Sequence, residues 1–358
     1  MPREVKARGR LSTHPSRRLI FPMSNFKTKI IKNYQYALFV VLLFQTTLTA
    51  KAVIAQSQTP AENGLLSPSL SKTISEKPVE SVWEFGLKLT SPSDARGITA
   101  TVPIPMEWPE QKIEILSEEK SDGVGSIRFK NPTKQTQQFS FSVNRMTAGT
   151  PETAVIRFKI KKSFIARPKN TSEFTSGGTL SSEVRSFLKP SPFIESNSKE
   201  IRKIASSLED NSLNAWSQVE KNYTWVRENI EYKFDKQIHS CLRALTVKHG
   251  DCEELSSLFI ALCRAQGIPA RAVWIPGHTY PEFYLTDANQ KGTWFPCQAA
   301  GSYAFGEMPE PRPILQKGDR FRIAGQREEV RYLRPTLVAK QAPRGVAIEW
   351  IANPIETE

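Results

Sequence analysis

The chain's apolar pattern changes period near its middle. From Ser81 to about residue 165 the apolar residues come in short runs, in phase with a strand. SVWEFGLKLT places Val82, Phe85, Leu87 and Leu89 among its apolar positions. GITATVPI, KIEILS, SIRFKN, QFSFSV and AVIRFKIKKSF follow, separated by the turn signals SPSD, SDGVG and TAGTP. Several short strands at that spacing predict an all-β, sandwich-like module over 81–165. It holds no cysteine or histidine, so its expected role is structural or adhesive. Residues 166–199 are rich in Pro, Gly and Ser and read as a linker.

The period then becomes helical. Ile201, Ile204 and Leu208 share one face, as do Trp216, Val219, Tyr223, Val226 and Ile230. Leu255, Leu258, Phe259 and Leu262 form a third apolar stripe. Asp251 and Glu254 have the spacing of a capping box, while Gly267 and Pro269 mark the helix end. ARAVWI, HTYPEFYL and TWFPC follow as strands, divided by PG and DANQKG turns. Residues 200–318 are therefore expected to be an α+β domain, a helix followed by an antiparallel meander. The 319–358 extension contains two strand-like runs, RYLRPTLVA and GVAIEWI, that the pattern does not place.

Charge changes the picture only at the N-terminus. The formal net charge is +13, and residues 1–52 contain ten Lys or Arg against one acid. The remaining weak excess is a poor footprint for nucleic acid. FKTKIIKNYQY is basic, ALFVVLLF is apolar, and Ala50, Ala52 and Ala55 offer small residues for cleavage. This is the layout of a secretory signal peptide within 1–55, with a long basic leader and Met23 as an alternative start. An uncleaved anchor is the other reading. No stable membrane span is expected after processing. Residues 56–80 are polar, rich in Ser and Pro, and read as a second linker.

All four cysteines, Cys241, Cys252, Cys263 and Cys297, fall within one short window. An exported chain permits disulfides, and a Cys241–Cys297 pairing is open. Cys263 is expected in the core. His239-x-Cys241 and His249-x-x-Cys252 bring potential metal ligands together, but not at zinc-finger spacing. Cys252 is different. It opens the apolar helix, where unpaired N–H groups and the macrodipole favour a thiolate. A nucleophile needs a base, and His239, His249 and His278 are the candidates; His278 opens a strand after a turn, where a side chain can point into a cleft mouth. A helix-borne Cys before a strand-borne His is the chain order of papain-like thiol enzymes.

GDCEELSSLFIALCRAQGIPARAV resembles the centre of the transglutaminase-like superfamily. The likeness extends to WVRENIEY upstream and to His278, Glu282 and Trp294 downstream, over about residues 200–300. It implies a papain-like α+β core with a Cys-His-Asp triad, Cys252 as nucleophile and His278 as general base. Two departures stand out. Gln298 occupies the place of the aspartate, and Tyr280 replaces a tryptophan. Gln298 is expected to accept a bond from His278 Nδ1–H and orient the ring, unless Glu282 or Asp287 serves instead.

The reading is an exported thiol enzyme. It attacks an amide or peptide carbonyl and passes the acyl group to water or an amine, with a protein or peptide as substrate. The alternative is a non-catalytic envelope or surface scaffold built on a degenerate core. No cofactor is implied, and no D-x-D-x-D-G calcium loop occurs.

Overall fold

The computed structural model describes residues 18–19, 74–323 and 327–356. The expected signal segment (apart from Arg18–Leu19) and most of the 56–80 linker lie outside these residues. Arg18–Leu19 forms a two-residue strand, β1. Six strands follow in the first module: β2 (Val79–Thr90), β3 (Ala95–Ile104), β4 (Gln111–Lys120), β5 (Arg128–Thr133), β6 (Thr136–Met146) and β7 (Glu152–Lys162). In β2 the buried face is Trp83, Phe85, Leu87 and Leu89, whereas Val82 is only half-buried. Val82 is out of phase because alternate side chains leave opposite faces of a strand.

Five helices come next: α1 (Ser182–Ser186), α2 (Lys199–Leu208), α3 (Ala215–Asn229), α4 (Cys241–Val247) and α5 (Cys252–Ala265). Between them, β8 (Glu231–Tyr232) pairs in parallel with β9 (His249–Gly250). After α5 come β10 (Ala270–Ile275), β11 (His278–Thr286) and β12 (Gly292–Pro296), an antiparallel meander. Gly267 stands just past α5 with φ +77°, as a left-handed helix end requires. The chain closes with β13 (Gln316–Lys317), β14 (Phe321–Arg322), β15 (Glu329–Val330), β16 (Thr336–Gln341) and β17 (Ala347–Ile355). The fold is α+β. No helix among the described residues is long and apolar enough to cross a membrane.

The last two strands complete the first module. One sheet runs β17-β2-β7-β4; the facing sheet contains β16-β3-β6, with β5 on β6. Leu337 and Ala352 from the C-terminal strands join Phe85, Phe139, Phe141 and Phe158 in the core between the sheets. The two modules also share a sheet. The short β13 pairs with β6 on one side and β10 on the other, so hydrogen bonding continues from the sandwich into β10-β11-β12.

A second apolar core surrounds α5. It holds Leu255, Leu258, Phe259 and Leu262 with Trp216, Tyr223, Phe283, Phe295 and Phe305. Trp216 makes edge contacts with Phe283, Phe295 and Phe305, the favoured geometry for packed aromatic rings. Thirteen of the fourteen residues of α5 are buried, so the helix sits inside the domain rather than on it.

Between the two cores lies a buried ionic cluster. Lys317 Nζ donates to Glu110 Oε1 at 2.5 Å and to Glu282 Oε1 at 2.6 Å. Arg271 donates to the other oxygen of Glu282. The opposing charges hold Glu282 below its ordinary pKa despite burial. Glu110 belongs to the first module and Glu282 to β11, so the cluster ties one to the other.

Candidate active site

Cys252 is the first residue of α5. The entering chain is shaped by a complete capping box. Asp251 accepts from Glu253 N–H at 2.8 Å, and Glu254 accepts from Asp251 N–H at 2.9 Å. The second oxygen of Glu254 accepts from His239 N–H at 2.7 Å. Gly250 is required here: a Cβ at that position would lie 2.6 Å from Glu254 Cβ. Burial, with Asp251 beside it, raises the pKa of Glu254. Cys252 itself is 5% exposed. The local sequence thus places a thiol at the positive end of a buried helix.

His278 begins β11 after the two-residue Pro276–Gly277 turn that joins it to β10. One turn beyond Cys252, Ser256 Oγ donates to the carbonyl of Thr279 at 3.3 Å, pinning the helix against the start of β11. Cys252 and His278 line the same cleft. Burial and the nearby Arg312 charge push the His278 pKa down to about 4, so the imidazole is neutral at pH 7.

Gln298 lies just past β12 and is buried. Its Oε1 is 2.9 Å from His278 Nε2. The expected partner atom was Nδ1, and the structure corrects this. An amide oxygen only accepts, so Nε2 carries the proton and Nδ1 is the lone-pair nitrogen. Glu282 and Asp287 are committed elsewhere. Glu282 pairs with Arg271 and Lys317, while Asp287 accepts from the N–H groups of Asn289 and Lys291 in its own turn. Tyr280 is fully buried beside Met308 and Ile314.

One residue of the site was not singled out from sequence. Arg227 on α3 donates to the carbonyls of Gln298 (2.8 Å) and Gly301 (2.9 Å). Its guanidinium lies over Tyr223 and Tyr303. It thereby clamps the loop that carries Gln298. The signal existed in WVRENIEY, but nothing local connects Arg227 with a loop some seventy residues later.

The other candidates separate from this group. His239 pairs with Asp235 at 3.1 Å and shares a second cavity of about 250 Å³ with His249, Lys233 and Arg243. All four cysteines are buried, and no disulfide joins any two of them. Cys241 donates to Glu195 at 3.0 Å. Burial drives the Cys263 pKa up to about 12 and that of Cys297 well above the usual thiol range, so neither thiol ionises readily. Among the described residues no group of three His, Cys, Asp or Glu is placed to hold a metal ion.

Comparison with known proteins bears on this region. The transglutaminase-like superfamily matches residues 202–299, which contain Cys252, His278 and Gln298. No curated protein matches the chain. Among solved structures, the fold is similar to that of a proposed cysteine protease from Cytophaga hutchinsonii. The TM-score is 0.53 at 17% identity, over 79% of this chain and 93% of that one. A proposed protease from Parabacteroides distasonis aligns with TM-score 0.26 at 13% identity, over 63% of this chain and 47% of that one, too low to bear on the fold. Residues 202–299, the segment that brings helix, histidine strand and Gln298 together, are a transglutaminase-like domain.

Proposed function

We propose that this chain is an exported thiol enzyme that transfers an acyl group from an amide or peptide carbonyl, through Cys252, to water or an amine. The observation that carries the reading is the shared cleft: a helix-N-terminal thiol and a histidine held by Gln298 line one space.

His278 Nδ1 takes the Cys252 proton as the sulfur bonds to the carbonyl carbon. The N-terminal end of α5 stabilises the negative charge that develops on sulfur and then on the carbonyl oxygen. The tetrahedral species collapses to a thioester, and the Nδ1 proton passes to the departing amine. Water or a second amine then attacks the thioester, with His278 again taking the proton, and the thiol is restored. Gln298 fixes the ring and its tautomer but adds no charge to stabilise the imidazolium. A protein or peptide is the proposed substrate, and the signal-like leader is the basis for export.

Gln298 also favours a second reading, a scaffold on a degenerate core. The two are separated by treating the purified mature protein with limiting iodoacetamide at neutral pH. Fast, selective alkylation of Cys252, lost in His278→Ala, is expected of the enzyme. Alkylation no faster than that of a free thiol overturns it. N-terminal sequencing of the protein recovered from cell fractions checks export: a start near residue 55, outside the cytoplasm, is expected.

A further inference from the structure

The cleft beside Cys252 is small and its walls are not all from the matched domain. Its volume is about 30 Å³, room for roughly two water-sized groups. Trp274 and Ile275 of β10 form one wall. The lining also includes Pro103 at the end of β3, Leu315, Tyr332 and Trp350 of β17. All four lie outside residues 202–299. The walls are predominantly apolar, and Trp274 is held on two sides. Trp274 donates its indole N–H to Gly318 O at 2.7 Å, and Tyr332 stacks on it with centroids 4.7 Å apart. Arg331, beside Tyr332, donates to the carbonyl of Glu253 at 2.9 Å, next to the thiol residue itself.

We propose that the sandwich module and its C-terminal strand set the substrate's size limit. The acyl-side residue, next to the attacked carbonyl, carries a small apolar or absent side chain, glycine or alanine, and Trp350 is the main determinant. The inference rests on the thiol reading above. The acyl group stays bonded to sulfur while the amine leaves. The side chain that must fit against the walls around Cys252 in both half-reactions is therefore the acyl-side one. A rigid apolar slot rejects excess volume because close-packed walls cannot yield without strain. The bound is a volume, and a residue such as phenylalanine exceeds it. Trp350 is chosen over its neighbours because it is the largest side chain that the sandwich contributes to the slot.

The test uses three irreversible probes on the mature full chain: N-acetyl-glycyl, N-acetyl-alanyl and N-acetyl-phenylalanyl chloromethyl ketone. Modification of Cys252 is followed by mass spectrometry. Each probe's rate is divided by its rate with free cysteine. The wild type is expected to react with the glycyl and alanyl probes at least about tenfold faster than with the phenylalanyl probe, the discrimination typical of an apolar pocket. Trp350→Ala is expected to bring that ratio close to one, chiefly by accelerating the phenylalanyl probe. Trp350→Phe, a milder change, is expected to give an intermediate ratio and serves alone if Trp350→Ala does not fold. Equal rates for all three probes in the wild type overturn the proposal, as does an unchanged ratio in the folded variants. Failure of iodoacetamide to label Cys252 selectively is a separate result. It removes the thiol reading and this inference with it, whereas selective iodoacetamide labelling without size discrimination removes only this one.

Discussion

Both cores of this molecule are closed by distant contacts, but only one carries a local motif. In the α5 core the capping box, thiol, apolar stripe and β10–β11 hairpin follow one another along some thirty residues, although Trp216 and Phe305 join them from farther away. The sandwich core has no such run. Its β2 is flanked by β7, some seventy residues later, and by β17, more than two hundred residues later. A local motif can announce itself in sequence, because the physics of a helix end acts on neighbours in the chain. A sheet edge is chosen by which distant strand arrives to pair with it. Cys252 and His278 sit on the local motif, yet six of the twelve residues that line their cleft lie outside residues 202–299.

Removing the distant strands should do the most damage. Deleting residues 336–358 takes one strand from each sheet, leaves the edges of β2 and β3 unpaired and removes Leu337 and Ala352 from the core. Loss of cooperative unfolding in denaturant titrations is expected, although the Cys252 motif is intact. Lys317→Met is the next largest change. It leaves Glu110 and Glu282 buried without their common cation, and breaking such a cluster costs about 3–5 kcal/mol. The unfolding midpoint in urea should fall accordingly, and a shift within error of zero would detach the ionic cluster from the coupling assigned to it.

A smaller effect belongs to His278. Its folded pKa is about 4 against an ordinary 6.5, so the unfolded chain binds a proton that the folded chain refuses. Stability should fall as pH drops from about 6.5 to about 4, by about 3 kcal/mol at the limit. His278→Asn should flatten that part of the curve, which equilibrium unfolding at several pH values checks. Gln298→Asp places a carboxylate beside Nε2 and should raise the His278 pKa, seen as an upfield-to-downfield titration at higher pH by NMR. The smallest change expected is that of Arg227→Met. It frees the loop of Gln298 and should slow Cys252 alkylation several-fold while the midpoint of unfolding moves little. An unchanged rate would leave Arg227 as a packing residue.

Particular residues mark how far the sequence was legible. Asp251, Glu254 and Gly267 bound α5 as their spacing predicts, and the strands that follow occupy ARAVWI, HTYPEFYL and TWFPC. The family resemblance points to Gln298 as the residue at the aspartate position, and the structure sets it at hydrogen-bonding distance from His278. The ring nitrogen was misread, because the rotation of an imidazole depends on neighbours that spacing does not describe. Arg227 was missed as a clamp for the same reason. The two C-terminal strands were recognisable as strands but not assignable to a sheet.

The order of residues alone therefore specifies a capped, buried helix with a thiol at its positive end, followed by a strand that begins with a histidine. These follow from capping, period and turn chemistry, which operate between residues a few positions apart. The setting of that thiol and histidine comes from the folded chain. It chose which nitrogen of His278 faces Gln298, bound the sandwich to the domain through Lys317, and brought Trp350 and Pro103 to the cleft. Those outcomes depend on side chains from distant segments competing for the same buried space, and that competition is resolved only when both cores are packed together.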